Sequence, residues 1–401
     1  MKLNINGCHI YLLVILLCVV SWGTVVKIAQ VVLIAWSLYY AFYANIKYKL
    51  PVYFKALNVL LIMFTIYGFL LIISGETLMV TQRQWREVAN TGYLKSIYKS
   101  LLPIYAFYVF ARRELLTEKT MKFWFFIFLV LTVRLFNRAE AAMLQKALEA
   151  GSSAEEFTNN VAYTFVGLLP ALVLFYKKPI IQYLCLVFCA YFIIVGMKRG
   201  AILTGGICLI WFITTNVKKV PRNRRWIVIL VSVVVVAVGF YFFRYMMETS
   251  SYFQYRIEQT REGNSSGRDG LYATFFQHFI NEPNPFRFLF GNGAYSTLKF
   301  SDNLAHNDWL EIAIGQGLLG IVIYLVYWIC FYVNWRRSKN HPQAFMAIGM
   351  LLIIYFLSTL FSMSYNSVSR CSAMVLGYYL AMYNENDTMV LVEDQPECNQ
   401  P

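Results

Sequence analysis

Charge is what this sequence has least of. Asp, Glu, Lys and Arg make up 14% of its 401 residues, against about 25% in a soluble domain. With 59% of positions hydrophobic, a soluble fold of this length has more apolar surface than it can bury, since part of any fold faces water. The mean hydropathy of +0.52 agrees. Metal-ligand spacing is also absent. Cys18, Cys185, Cys189, Cys208 and Cys330 lie inside apolar runs, where a thiol packs as a small hydrophobe. Cys185 and Cys189 share a helix face, but no His or carboxylate is near enough in sequence to complete a zinc site. There is no internal repeat and no low-complexity tract. These absences exclude intrinsic disorder, a disulfide-stapled secreted domain and a nucleic-acid binder built on a basic patch. What remains is an all-α, polytopic integral membrane protein.

Runs of about 17–25 apolar residues are needed to cross a bilayer. About twelve candidates can be drawn by that rule: His9–Trp22, Val26–Ala44, Leu57–Ser74, Ile97–Phe110, Met121–Phe136, Val161–Tyr176, Ile180–Gly196, Ala201–Asn216, Ile227–Tyr245, Trp309–Val333, Phe345–Ser362 and Val368–Tyr383. The first follows a single Lys and resembles a signal peptide. No small-x-small cleavage site follows it, so it reads as a retained helix. The chain therefore divides into helices 1–9 (residues 1–245), a large loop between helices 9 and 10 (246–307), helices 10–12 (308–383) and an acidic tail (384–401).

The net charge of +14 is a topological signal before it is a functional one. With the N-terminus cytoplasmic, basic clusters collect on one side: Lys47/Lys49/Lys55, Arg112/Arg113/Lys119/Lys122, Lys177/Lys178, Lys218/Lys219/Arg222/Arg224/Arg225 and Arg336/Arg337/Lys339, with Lys2 alone. The alternation holds through every span, and it puts the acidic tail in the cytoplasm. The opposite side carries the loops Gly75–Ser96 and Asn137–Asn159 (a short helix, then the turn Gly151-Ser152-Ser153) and the long loop. A loop as long as the last is usually functional.

Three features of that outer side could carry chemistry. Lys198 and Arg199, in Met197-Lys198-Arg199-Gly200-Ala201, place two cations where the positive-inside pattern expects none. They either snorkel to lipid phosphates or offer a donor fork to a phosphate or diphosphate. Arg268, in Ser265-Ser266-Gly267-Arg268-Asp269-Gly270 before the amphipathic stretch Leu271–Phe279, is either another such fork or half of a local pair with Asp269. His306, Asn307 and Asp308 stand where the long loop re-enters the membrane. They form either a plain helix cap or the setting of a positioned imidazole. His9, His278 and His341 carry weaker signals.

The run Gly291 to Gly320 resembles the O-antigen ligase/polymerase superfamily. Its marks are Gly291-Asn292-Gly293, Ala305-His306-Asn307-Asp308-Trp309-Leu310-Glu311 and Gly315-Gln316-Gly317-Leu318-Leu319-Gly320, with Arg199-Gly200 and Arg268 upstream. Lys198 stands where many members have Ser. The resemblance implies a metal-independent bacterial inner-membrane glycosyltransferase, active on the periplasmic side and needing no cofactor. It would transfer a glycan from undecaprenyl diphosphate to a lipid A–core sugar hydroxyl. Arg199 and Arg268 would stabilise the leaving diphosphate, and His306 would act as base or orienting group. Lys198, Asn307 and Asp308 are weaker candidates for binding the diphosphate or glycan. The lack of a Walker A run, an Asp-x-Asp motif and a His/carboxylate cluster suits that chemistry. Two alternatives stay open: a Wzy-type polymerase using the same donor with another glycan as acceptor, and a transporter of polysaccharide or lipid-linked glycan. A transporter tends to show repeated halves and charges near the midplane, and this chain shows neither.

Overall fold

The structure, a computed structural model, describes residues 6–383 except 21–22, 77, 83, 89, 151–157, 220–221, 223–224, 263–267, 302 and 367. Lys2, Gly151-Ser152-Ser153, Arg224, Ser265-Ser266-Gly267 and the acidic tail therefore lie outside the described residues. The first five helices are α1 (Gly7–Val20), α2 (Thr24–Lys47), α3 (Val52–Ser74), α4 (Thr91–Leu101) and α5 (Pro103–Arg112). There follow α6 (Glu118–Ala150), α7 (Ala162–Val166), α8 (Pro179–Val195), α9 (Arg199–Lys219) and α10 (Arg225–Thr249). The long loop holds α11 (Ser251–Arg261), α12 (Arg268–Ile280) and α13 (Pro285–Phe290). The chain then runs through α14 (Asp308–Arg337), α15 (Pro342–Phe361) and α16 (Arg370–Tyr383).

Seven of these among the described residues, α2, α3, α6, α9, α10, α14 and α15, are long and apolar enough to cross a membrane. Large side chains on their outer faces are bare, such as Ile73 at 78% exposed and Phe240 at 67%. Water would penalise such a surface and lipid does not. The protein is a multi-pass membrane protein.

Three stretches differ from the sequence expectation. The loop Gly75–Ser96 contains an antiparallel hairpin, β1 (Leu78–Gln82) with β2 (Gln84–Val88), registered from Leu78↔Val88 to Gln82↔Gln84. Among the described residues the fold is thus helical apart from this hairpin, whose β-branched and aromatic residues suit a strand. The run Ile97–Phe110 is split into α4 and α5 at Pro103, the first residue of α5. The run Val161–Tyr176 is α7 followed by a 3-10 turn, Leu169–Phe175, with Pro170 near its start. Proline supplies no N–H and limits its predecessor's backbone, which ends regular helix. Both segments are buried within the bundle, the setting in which irregular backbone is tolerated at membrane depth.

Between helices in lipid, close packing takes over the role that water exclusion has in soluble proteins. At the centre α16 lies on α5, and Gly377 makes that contact possible. A Cβ there would stand 2.7 Å from the Ile104 carbonyl oxygen and 2.8 Å from the Tyr108 nitrogen, both backbone atoms that cannot move aside alone. Gly377→Val should therefore separate the two helices, at a cost of about 1–3 kcal/mol. A lower thermal midpoint of the purified protein in detergent is expected; an unchanged midpoint would refute this account of the contact.

Candidate active site

The C-termini of α9 and α14 carry Lys218/Lys219 and Arg336/Arg337, and their N-termini carry Arg199 and the His306-Asn307-Asp308 entry. At 1.5 Å per residue α9 is about 30 Å long, so the basic clusters and the candidate site lie at opposite ends of the bundle. At the site end a cavity of about 1120 Å³ opens. Arg199, Arg268 and His306 all line it, although they come from three separate segments, and Lys198 lines it too. Apolar side chains line it as well, among them Val19 of α1 and Phe128, Leu131 and Leu135 of α6.

Each side chain is held by its local backbone. The turn into α9 is tied down by the Asn159 N–H, which donates to the Gly196 carbonyl at 2.8 Å. The Asn159 amide donates in turn to the Phe136 carbonyl at 3.0 Å. Met197 then takes φ 51°, a left-handed value unusual for a residue with a side chain, and delivers Lys198 and Arg199 to the cavity. Gly200 follows because the Tyr163 hydroxyl occupies the place of a Cβ, 2.3 Å from where it would stand. Arg268 is the first residue of α12, and its Nη1 donates to the Phe361 carbonyl at 3.1 Å. One turn on, the Tyr272 hydroxyl lies 3.2 Å from the His306 carbonyl and 3.1 Å from that of Leu360.

His306 itself sits at φ 50°. Such strain persists only where surrounding contacts over-determine it, and here two carboxylates do so. The Glu311 carboxylate accepts from the Thr297 hydroxyl at 2.9 Å and from the Ala305 N–H at 3.1 Å, closing the loop onto α14. Asp308 is fully buried and accepts from the Tyr324 hydroxyl at 2.5 Å, from the Ser364 N–H at 2.9 Å and from the Ser364 hydroxyl. The Asn307 side chain caps α14, accepting from the N–H groups of Trp309 and Leu310. Asn307 and Asp308 therefore stand behind His306, not among the residues that line the cavity.

The glycines of the long motif have a steric role. The helix α14 breaks at Gly317, which has φ 67° and ψ −162°. The Ile314 and Gly315 carbonyls at the break accept from the Asn292 and Gly293 N–H groups, each at 2.9 Å. A Cβ at Gly291 would stand 2.3 Å from the Gly315 carbonyl oxygen, and one at Gly317 would stand 2.5 Å from the Gly291 nitrogen.

Sequence reading passed over Tyr272 and Arg370, which also line the cavity. Nothing marks Tyr272 among 29 tyrosines. Arg370 shows the same signal as Lys198 and Arg199, a cation at the end of a span away from the basic clusters. Among the described residues no three His, Cys, Asp or Glu side chains come together as a metal-binding group.

A helical membrane bundle with a cationic, His-containing cavity at one end, walled by apolar residues, is the class of protein these features define. Residues 184–325 match the family described as O-antigen ligase. The match supports the O-antigen ligase/polymerase superfamily that the sequence resembles, and Arg199, Arg268 and His306 all fall within it. No curated protein matches the chain.

Burial first, and the Arg268 charge second, oppose protonation of His306 and push its pKa below the ordinary value, about 6.5. As pH falls through that value the unfolded chain binds a proton that the folded chain resists, so this group's contribution to stability declines with acid. Modification by diethyl pyrocarbonate, read at His306 by peptide mass spectrometry, should show a midpoint below about 6.5. The midpoint should rise in Arg268→Gln, which removes a repelling charge. A native midpoint at or above the ordinary value would refute the assignment. Glu311→Ala strands the Thr297 hydroxyl and the Ala305 N–H, and should lower stability by about 1–3 kcal/mol, measured as a drop in thermal midpoint.

Proposed function

We propose that this protein is a metal-independent O-antigen ligase-type glycosyltransferase of the bacterial inner membrane. It moves a glycan from undecaprenyl diphosphate to a lipid A–core sugar hydroxyl on the periplasmic side. The observation that carries this reading is the meeting of Arg199, Arg268 and His306 on one cavity that apolar side chains also line. A polyprenyl-linked substrate has the same two parts, a diphosphate and a hydrocarbon chain.

In the reaction the acceptor hydroxyl approaches His306, whose neutral imidazole takes the proton as the oxygen attacks the anomeric carbon. The new glycosidic C–O bond forms as the bond from the anomeric carbon to the phosphate oxygen breaks. Undecaprenyl diphosphate leaves with the electron pair. Negative charge accumulates on its phosphates, where Arg199 and Arg268 offer planar donor forks. Lys198 adds a further cation to the lining of the cavity. Asn307, Asp308 and Glu311 act as positioning residues, because they hold His306 in its left-handed backbone.

The broken helix α14 bears on the transporter alternative. Transporters use carbonyls freed at such breaks to coordinate ions. Here the Ile314 and Gly315 carbonyls are taken by Asn292 and Gly293, which favours the enzyme.

Arg199→Ala, Arg268→Ala and His306→Ala should each reduce transfer by about 100-fold or more while the protein still inserts in the membrane. Wild-type activity in any one of them removes that residue from the site. Deletion of the gene, followed by gel analysis of the lipopolysaccharide, separates acceptors. Loss of all O-chain from the core, with polymer left on undecaprenyl diphosphate, identifies the ligase, whereas a core bearing one repeat unit identifies the polymerase. Cysteine labelling should find position 268 accessible from the periplasm and position 224 from the cytoplasm; the reverse would overturn the orientation.

A further inference from the structure

The end of the long loop carries an apolar surface that the proposed reaction does not use. In α13 (Pro285–Phe290) none of the six residues is buried, although four of them are Phe or Leu. Phe286 is 67% exposed, and Leu289 and Phe290 are exposed too. Three and four residues apart, these side chains share one side of the helix, and the Phe286 and Phe290 rings lie 4.8 Å from each other. Water penalises such a surface, so the height of α13 relative to the bilayer decides what covers it.

The broken helix α14 fixes that height. A Cβ at Gly317 would stand 2.6 Å from the Leu289 carbonyl oxygen, so the end of α13 lies directly against the break. Before the break Glu311 to Gly317 are all buried. After it, large exposed apolar side chains begin at Leu318 and recur at Val322, Val326 and Ile329. From Leu318 to Arg337 is about 29 Å at 1.5 Å per residue, close to the hydrocarbon thickness of about 30 Å. The break therefore stands at one face of that layer.

The helix α3 gives the same level. Its 23 residues span about 34 Å, and its exposed apolar side chains continue to Ile73. Glu76, just past its end, pairs with Lys299 at 2.6 Å and marks the polar side. The Tyr67 hydroxyl, about 10 Å short of that end, donates to the Phe290 carbonyl. At the other end of α13 the Asn284 side chain accepts from the Phe286 and Arg287 N–H groups. Both ends of α13 thus find backbone partners inside the protein, which an apolar layer demands and water does not.

We infer that α13 is an interfacial anchor, seated at the boundary of the leaflet on the cavity side with Phe286, Leu289 and Phe290 among the upper acyl chains. The partner is lipid, because α13 adjoins the lipid-facing surface of α14 at Gly317 and that of α3 at Tyr67. Arg287, exposed on the same helix, is long enough to keep its charge among the headgroups. None of this rests on the glycosyltransferase reading. The consequence for the site is mechanical: Asn292 and Gly293 fasten the end of α13 to α14, so the leaflet holds the loop that ends in His306.

The test uses the full chain in phosphatidylcholine nanodiscs, with the fluorescent amino acid acridonylalanine placed singly at position 286, 289 or 326. Quenching is measured with phosphatidylcholine that bears a nitroxide near the headgroup end or near the tail end of its acyl chain, and with aqueous iodide. Val326, about 12 Å beyond Leu318, is the reference near the bilayer centre. At 286 and 289 the headgroup-end nitroxide should quench about twofold or more strongly than the tail-end one, as for a helix seated about 5–10 Å into the leaflet. At 326 the order should reverse. Iodide should quench 286 and 289 about fivefold less than it quenches the free fluorophore, because acyl chains exclude the ion.

Strong iodide quenching with weak nitroxide quenching would put α13 in water and refute the anchor. Weak quenching by every agent would mean that a second copy of the chain or another protein covers the patch, which also refutes it. Stronger quenching from the tail end than from the headgroup end at 286 would make α13 a deep re-entrant segment and overturn its place at the boundary. Should the chain labelled at 286 fail to fold, the one labelled at 289 carries the same comparison.

Discussion

In an apolar surrounding every backbone N–H and carbonyl needs a partner inside the protein, and the break in α14 puts that demand at the centre of this structure. Where the helix stops at Gly317, the Ile314 and Gly315 carbonyls are supplied by the N–H groups of Asn292 and Gly293. Only glycine fits on both sides of so close an approach. That backbone clamp fastens the end of the long loop to the membrane helix. Thr297 and Ala305 then reach Glu311, and Ser364 reaches Asp308. His306 is held between these contacts. A motif that reads as a functional signature in the sequence thus serves mainly to seat one loop on one helix.

The electrostatics of the site follow from placement and not from total charge. The basic pairs Lys218/Lys219 and Arg336/Arg337 lie at the ends of α9 and α14 away from the cavity. At the cavity the cations are few and individually fixed: the Arg268 guanidinium on the Phe361 carbonyl, and Arg199 by the strained turn at Met197. Helix starts add to them, since the N-terminus of a helix carries partial positive charge. Such an arrangement favours a compact anion at one place, beside apolar side chains from α1 and α6. The neutral form of His306 is favoured by the same surroundings, as burial and Arg268 both resist its protonation.

Much of this was legible in the residues themselves. Seven of the apolar runs correspond to the long helices and three more to the shorter α1, α8 and α16, and His306, Arg199 and Arg268 stood out from their neighbours. Two of the runs misled, Ile97–Phe110 and Val161–Tyr176, because hydropathy measures how apolar a segment is and not whether it faces lipid. Both proved to be short or irregular segments buried inside the bundle. Asn307 and Asp308 read as ligand-binding candidates, yet one caps α14 and the other is buried against Tyr324 and Ser364. Polar residue types look alike in sequence whether they face a cavity or support the residue that does.

The sequence by itself determined that this chain lives in a membrane, and which loop segments hold its unusual polar residues, because hydropathy, charge and glycine content are properties of contiguous residues. Only the tertiary structure decided that the starts of α9, α12 and α16 border one cavity with His306, and that Tyr272 and Arg370 belong to its lining. In a soluble helix a polar stripe reveals which face points outward. A lipid-facing helix is apolar on both faces, so nothing in its pattern says which side turns inward, and the packing of helices distant in sequence settles it.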